Sequence, residues 1–378
     1  MASTFRLLFD GAAADDELYT ALTSLEVEEN VDMPGAIQLS LPVNRTDDGD
    51  LSYVSDDRFK PFANLAVVAT PEDKPDECIF DGYILSHKLH LETGTVSSSL
   101  KVFGQDASWL MNLEEKAREW TDVTDADAAA SIFGDYGITP AAENTDDDSP
   151  SHTEDGHTLM QRGSDIQFLR TLARRNGKIC RVACGDTPGR RTGYFAKPKL
   201  DGDPVVTMTL NDPAGAWTVQ ALDVEWDVTR PSAVTARQAL FNDDDPDGAS
   251  GDTSDSGLDL LDERGLADFS GKPMTVMLAA PVDDAQELTL RAKSVLREAG
   301  WFVRCEGETD VSRLKAVLRA GTVVQVNAAG SLHSGKYFVW SVRHSITQDL
   351  HKMKFVLIRN AIGPAPAGGP GGLLGGLT

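Results

Sequence analysis

The chain has 378 residues, 41% of them hydrophobic, and a formal charge of −24 from 59 acids against 35 bases. That length can bury a substantial core and suggests two or three domains, while the acidic surplus excludes a generic nucleic-acid surface, which needs clustered Lys and Arg. No apolar run approaches the roughly 20 residues of a bilayer-spanning helix, and the start, Met1 to Arg6, lacks the charged-then-apolar pattern of a Sec leader, so none is expected.

Residues 1 to about 104 read as antiparallel strands. Phe5–Phe9 ends at the turn dipeptide Asp10-Gly11. Leu25–Glu29 and Ala36–Leu41 alternate, and Pro42 closes the second run. Leu65–Ala69, Ile79–Leu85 with its extension to Leu91, and Val96–Phe103 follow, with a turn at Glu92-Thr93-Gly94. Period-two alternation between turn residues is the signal of antiparallel sheet.

The middle of the chain changes character. Thr124 with Asp127 three residues on opens a helix, and Ser164 with Gln167 reads as a capping box for a second one. In that helix Ile166, Leu169, Leu172 and Ala173 form one face, and Arg174, Arg175 and Gly177 mark its end. Residues 141–157 and 242–262 are acidic and polar, as exposed loops are. A further helix is expected from Asp284 to Ala299. The rest reads as strands at Trp301–Glu308, Leu314–Leu318, Thr322–Val326, Tyr337–Ile346 and Lys352–Ile358, with Phe338, Trp340, Val342 and Ile346 on one face. A Gly/Pro-rich tail closes the chain and cannot form a core.

The expected fold is mainly β with an α+β insert: two related antiparallel β-barrel domains, 1–110 and 271–362, around a mixed region 111–270, with a flexible tail 363–378. The relation between the two β regions is a weak internal repeat. Val67-Val68, Gly82-Tyr83-Ile84, His87 and Leu100–Phe103 run in the same order as Val323-Val324, Gly335–Val339, His344 and Met353–Val356. Chance likeness between antiparallel strands is the alternative.

Chemistry-bearing patterns are sparse. No Gly-x-Ser-x-Gly, His-Glu-x-x-His or phosphate-binding loop occurs. Cys180 and Cys184 have zinc-like spacing without a second pair of ligands, so buried thiols are expected. Asp243–Gly248 starts like a calcium loop, but its twelfth position is Ser254 rather than Glu, so a solvated loop is expected. His87 and His344 sit in strands, as satisfied histidines do. Neither a catalytic residue nor a cofactor is expected. The Asp-rich, Lys-poor composition suits a high-salt, halophilic cytoplasm, with a GC-rich genome as the plainer cause. The competing enzymatic reading is an acidic two-domain hydrolase of a halophile, drawing on Asp165 or His157.

Three ordered segments resemble the phage late control protein D family, the hub of the tail baseplate, and the N-terminal region of type VI secretion spike proteins. They are Phe80–Ile84 with Val102–Leu110; Gln161–Ala173 running to Asn176-Gly177; and Leu318–Gly321, Ser334–Tyr337, Val342–His344 and Phe355–Gly363. The resemblance spans about residues 60 to 363. It implies a homotrimeric structural hub that adapts a sixfold inner tube protein to a threefold spike protein, alongside other baseplate subunits. It also implies no membrane, no sequence-specific nucleic acid contact, and assembly in the cytoplasm into a virion or contractile injection particle. The barrel and needle of fused spike proteins are not seen in the sequence, so a separate spike protein is expected. Pro364, Leu373 and Leu374 are candidates for touching it.

Overall fold

The computed structural model describes residues 4–93, 97–145, 149–154, 158–210, 217–238, 249–280, 282 and 285–363. Pro364, Leu373 and Leu374, the acidic run 243–248 and His157 lie outside the described residues.

The amino-terminal strands form as their alternation predicts. β1 (Thr4–Phe9) turns back through Asp10 and Gly11, whose φ values of 48° and 84° are those of the two-residue hairpin that matches strand twist. β2 (Ser24–Asn30) and β3 (Ala36–Pro42) each bury every second side chain. β4 (Asn64–Thr70), β5 (Glu77–His90) and β6 (Ser99–Asp106) complete a meander.

The middle segment builds its own core. β7 (Glu115–Trp120) pairs with β8 (Leu159–Ser164), and β9 (Ile179–Cys184) pairs with β10 (Arg191–Ala196). Between and beside them lie α1 (Asp125–Asp135) and α2 (Asp165–Arg175). α1 starts with the reciprocal Thr124/Asp127 box that its sequence announces. Ser164 precedes α2 as expected but makes no cap bond, because its hydroxyl donates to Asn112 Oδ1 at 2.7 Å. The capping-box expectation fails there, while the helix itself stands. Ile132, Phe133, Leu169, Leu172 and Phe195 fill this second core.

The chain then returns to the main sheet through β11 (Thr207–Thr209) and β12 (Ala221–Trp226). A small layer follows, in which the parallel pair β13 (Ala233–Gln238) and β14 (Thr275–Leu278) is covered by α3 (Ala285–Ala299) through Leu288, Ala292 and Leu296. β15 (Val303–Asp310), β16 (Val323–Asn327), β17 (Gly335–Ile346) and β18 (His351–Arg359) finish the sheet. The expected strand Leu314–Leu318 does not form. Asp310 caps a short helix, Val311–Leu314, by accepting from Arg313 N at 2.9 Å, and Lys315 ends it at φ 56°. A bulge at Trp340 also splits the expected common face of β17. Tyr337, Val339, Val342 and Ile346 enter the main core, while Phe338 pairs with a smaller cluster on the other side, beside Trp340.

The fold is mainly β and antiparallel, with the mixed insert expected from the sequence. Along the main sheet the order is β12-β15-β18-β17-β2-β3-β6-β5-β4-β1, and β16 adds to the free half of β17. This order contains the same unit twice: β2-β3-β6-β5-β4 and β12-β15-β18-β17-β16. Both units bulge at the same place, between Ile84 and Ser86 in β5 and between Val339 and Ser341 in β17. Aligning the bulges equates Leu100–Phe103 with Met353–Val356, as the sequence suggests. The valine pairs and the two histidines do not coincide. Val323-Val324 falls on Asn64-Leu65, three residues before Val67-Val68, and His344 falls on Leu89, two residues after His87, because a degenerate strand pattern does not by itself fix register. The sheet also exposes a likeness that the sequence reading missed: Leu25-Glu26-Val27-Glu28 of β2 is equivalent to Leu222-Asp223-Val224-Glu225 of β12.

Candidate functional site

The residues of the three expected segments fall at joints of the fold: between the insert and the sheet, within the insert, and between the two sheet units. In the first segment, Asp81 is buried at the start of β5. It accepts from Arg191 Nη2 at 2.8 Å, from Asn64 Nδ2 at 2.9 Å and from Gly189 N at 2.8 Å. Burial pushes this carboxyl up, but Arg191 and the other donors outweigh burial and hold it below its ordinary range. Arg191 also donates to Tyr83 Oη at 2.9 Å, so Asp81 and Tyr83 together fasten the β9–β10 hairpin to the sheet. Gly82 between them is required by space: a Cβ there would lie 2.1 Å from the Gln105 carbonyl oxygen. Asp106, at the end of β6, caps the turn that follows by accepting from Ser108 N at 2.9 Å, and it also accepts from Gly35 N.

The second segment holds the insert together. Gln161 accepts from Trp120 Nε1 at 3.1 Å and donates to Asp165 Oδ1 at 2.6 Å. Lys116 Nζ and Tyr136 Oη reach the other oxygen of Asp165 at 2.6 and 2.7 Å. Burial raises the Asp165 carboxyl, yet Lys116 and the neighbouring donors win and hold it low. Asp165, the residue offered for a hydrolase, is thus a fully engaged carboxylate at a helix start. At the other end of α2, Asn176 donates to Asp125 Oδ2, and His152 Nε2 lies 2.7 Å from Asp125 Oδ1. Gly177, at φ +60°, lets α3 approach so closely that a Cβ would meet Ser294 Cα at 2.9 Å.

The third segment lies at the junction of the two sheet units. Arg319 Nε donates to Glu29 Oε1 at 2.8 Å, and His344 Nε2 is 3.4 Å from the same oxygen. His344 Nδ1 then faces His351 Nε2 at 3.0 Å. Burial raises the Glu29 carboxyl, while Arg319 and His344 pull it down and prevail. Burial, followed by the neighbouring His344, pushes His351 well below the ordinary histidine range, so His351 is neutral. Gly335, at φ +139°, packs on the buried Arg359 guanidinium, which pairs with Asp262. His87, in contrast, is exposed on β5.

The four cysteines are free thiols. Burial pushes Cys180 up to about 12, and the Cys184 thiol meets the Cys78 carbonyl rather than a metal partner. Among the described residues no cluster of His, Cys, Asp and Glu is placed to hold a metal ion. The junction beside Glu29 and Arg319 encloses about 30 Å³, room for a water rather than a substrate. These groups connect; they do not converge on an open reaction centre.

Family and structural comparisons bear on this scaffold. A family model described as the Alg8 N-terminal domain matches residues 1–348. The chain belongs to that family. Its description differs from the late control protein D family expected from the motifs and names no tail component. No curated protein matches. Solved structures of like fold include tail proteins. The 43 kDa tail protein of prophage MuSo2 from Shewanella oneidensis superposes with a TM-score of 0.65 at 14% identity, covering 96% of this chain and 100% of that one. The tail protein from Neisseria meningitidis MC58 gives 0.64 at 15%, covering 95% and 97%. The E. coli c3393 protein, a type VI secretion component similar in structure to the T4 tail proteins gp27 and gp5, gives 0.55 at 13%, covering 96% and 79%. At these identities what is shared is the fold, and it is shared along nearly the whole chain.

Proposed function

We propose that this chain is a structural hub subunit of a phage tail baseplate or a contractile injection particle, of the late control protein D type, and not an enzyme. The observation that carries this reading is the duplicated sheet unit within a fold shared end to end with tail proteins. A chain with two equivalent units lets three copies present six like surfaces on one side and three on the other, which suits an adaptor between a sixfold tube and a threefold spike. The three segments that resemble the family serve as joints within and between the units, which a ring that transmits force requires. The partners are two further copies, an inner tube protein, a separate spike protein and other baseplate subunits, with assembly in the cytoplasm of a salt-rich cell.

The chain ends its described path at Gly363, whose carbonyl accepts from Arg264 Nε and Nη2 at 2.9 and 2.8 Å. Pro364, Leu373 and Leu374 beyond it are proposed to reach the spike. Light-scattering mass in multimolar KCl tests the reading, with a trimer expected, together with co-purification of a tube protein and a spike protein from the same source. A monomer that retains neither partner overturns the hub. Deleting 364–378 should abolish spike retention while leaving the trimer, and unchanged retention refutes the tail contact.

A further inference from the structure

Inside the chain, the two sheet units are joined by one strand pair. After its bulge, β17 (Ser341–Ile346) pairs antiparallel with β2, Ser341 opposite Asn30 and Ile346 opposite Leu25. The equivalent of β17 is β5, and the equivalent of β2 is β12. Among the described residues, Ser86–His90 of β5 pairs only with β6, and β12 pairs only with β15. Each chain therefore carries one joined seam and the two unjoined halves of a second. We propose that β12 of one copy pairs with Ser86–Leu91 of another, in the register of the internal seam, as the contact that closes the ring. This rests on the hub reading and adds the surface and the register.

The two seams share their central charged and apolar pairs and differ where Trp226 stands in place of Glu29. In the internal seam Arg343 stands opposite Lys354, a like-charge pair, and Glu28 relieves it with an ion pair to Arg343 at 2.7 Å. In the unjoined half, Lys88 stands opposite Lys101, the same like-charge pair. The transferred register sets Glu225 of the second copy against Lys88. Glu225 is 77% exposed and has only a 4.0 Å approach to Arg304. On the core face, the internal seam buries Leu25 and Val27 against Ile346 and His344. Their counterparts would set Leu222 against Leu91 and Val224 against Leu89, and would bring Trp226 beside His87. Leu91 and Trp226 are 57% and 49% exposed at the two edges, which such a seam explains. An open groove of about 500 Å³ runs beside Ile84–His87, bounded by residues 54–61, where an incoming strand would lie.

The test uses the full chain with Lys88→Cys and Glu225→Cys and a short bismaleimide. Covalent species of two and three chain masses are expected from the double variant and none from either single variant. Lys88→Cys with Ala221→Cys, four residues out of register, should give none. Separately, Lys88→Glu and Glu225→Lys should each reduce the trimer fraction severalfold, and the two together should restore it. A trimer that links no better at 88/225 than at 88/221 and shows no charge-swap rescue overturns the seam and leaves the hub reading standing. Linked rings that retain no tube protein keep the seam and refute the hub.

Discussion

Asp81 joins β5, Arg191 and the Gly189 backbone at one buried point. Asp81→Asn keeps the shape but strands the Arg191 guanidinium, a loss of about 3 kcal/mol for a broken buried pair. A lowered denaturant midpoint with an unchanged slope is the expected result. The pH sign follows from linkage. The folded carboxyl titrates below its unfolded value, so its contribution is full above the unfolded value near 4 and is lost as pH falls through the folded one. The variant should therefore show a flatter acid limb in a plot of stability against pH; an unchanged limb would remove Asp81 from the account. The role of Asp81 was not legible in the sequence, because its partner Arg191 lies 110 residues away. Segment order marked the place, but only the fold could supply the reason. Gly82 was legible as a motif position, whereas the Gln105 carbonyl that forbids a side chain there was not.

At the scale of elements, alternation located most strands correctly, and local capping chemistry located α1 to the residue. Thr124→Ala should cost about 1 kcal/mol through loss of the reciprocal cap, and hydrogen exchange in the first turn of α1 should report it. No change in that turn would reassign the helix start to packing alone. What alternation missed is what it cannot encode. β7 and β8 are half polar, and β9 was hidden behind its cysteine spacing. The bulge at Trp340 changes which face a residue takes without changing its neighbours in sequence. The short helix after Asp310 won over a strand because three residues of capping geometry were already satisfied locally.

For the molecule as a whole, a charge of −24 on 378 residues sets the conditions under which the proposed ring would close. Screening shortens from about 8 Å at physiological ionic strength to about 3 Å at 1 M. The melting temperature and the trimer fraction should therefore rise together between 0.1 and 2 M KCl, by several degrees in the first case, as followed by calorimetry and light scattering. A flat profile in both would show that the acids are already balanced by fixed partners. The mainly β fold and its insert were legible from composition and turn spacing. The duplication was visible as a rhythm, but its true register, and the kinship of β2 with β12, needed the sheet to align them.

That kinship sets a problem of fidelity during synthesis. A nascent chain holds two near copies of one strand, Leu25–Glu28 and Leu222–Glu225, and β17, which emerges after both, could accept either. The position after the shared stretch decides between them: β2 offers Glu29, and β12 offers Trp226. The slot beside β17 contains Arg319 and His344, which a carboxylate satisfies and an indole would leave desolvated and alone. Glu29 thus favours the pairing of β17 with β2 inside the chain, and in the proposed ring this leaves β12 for a neighbouring copy.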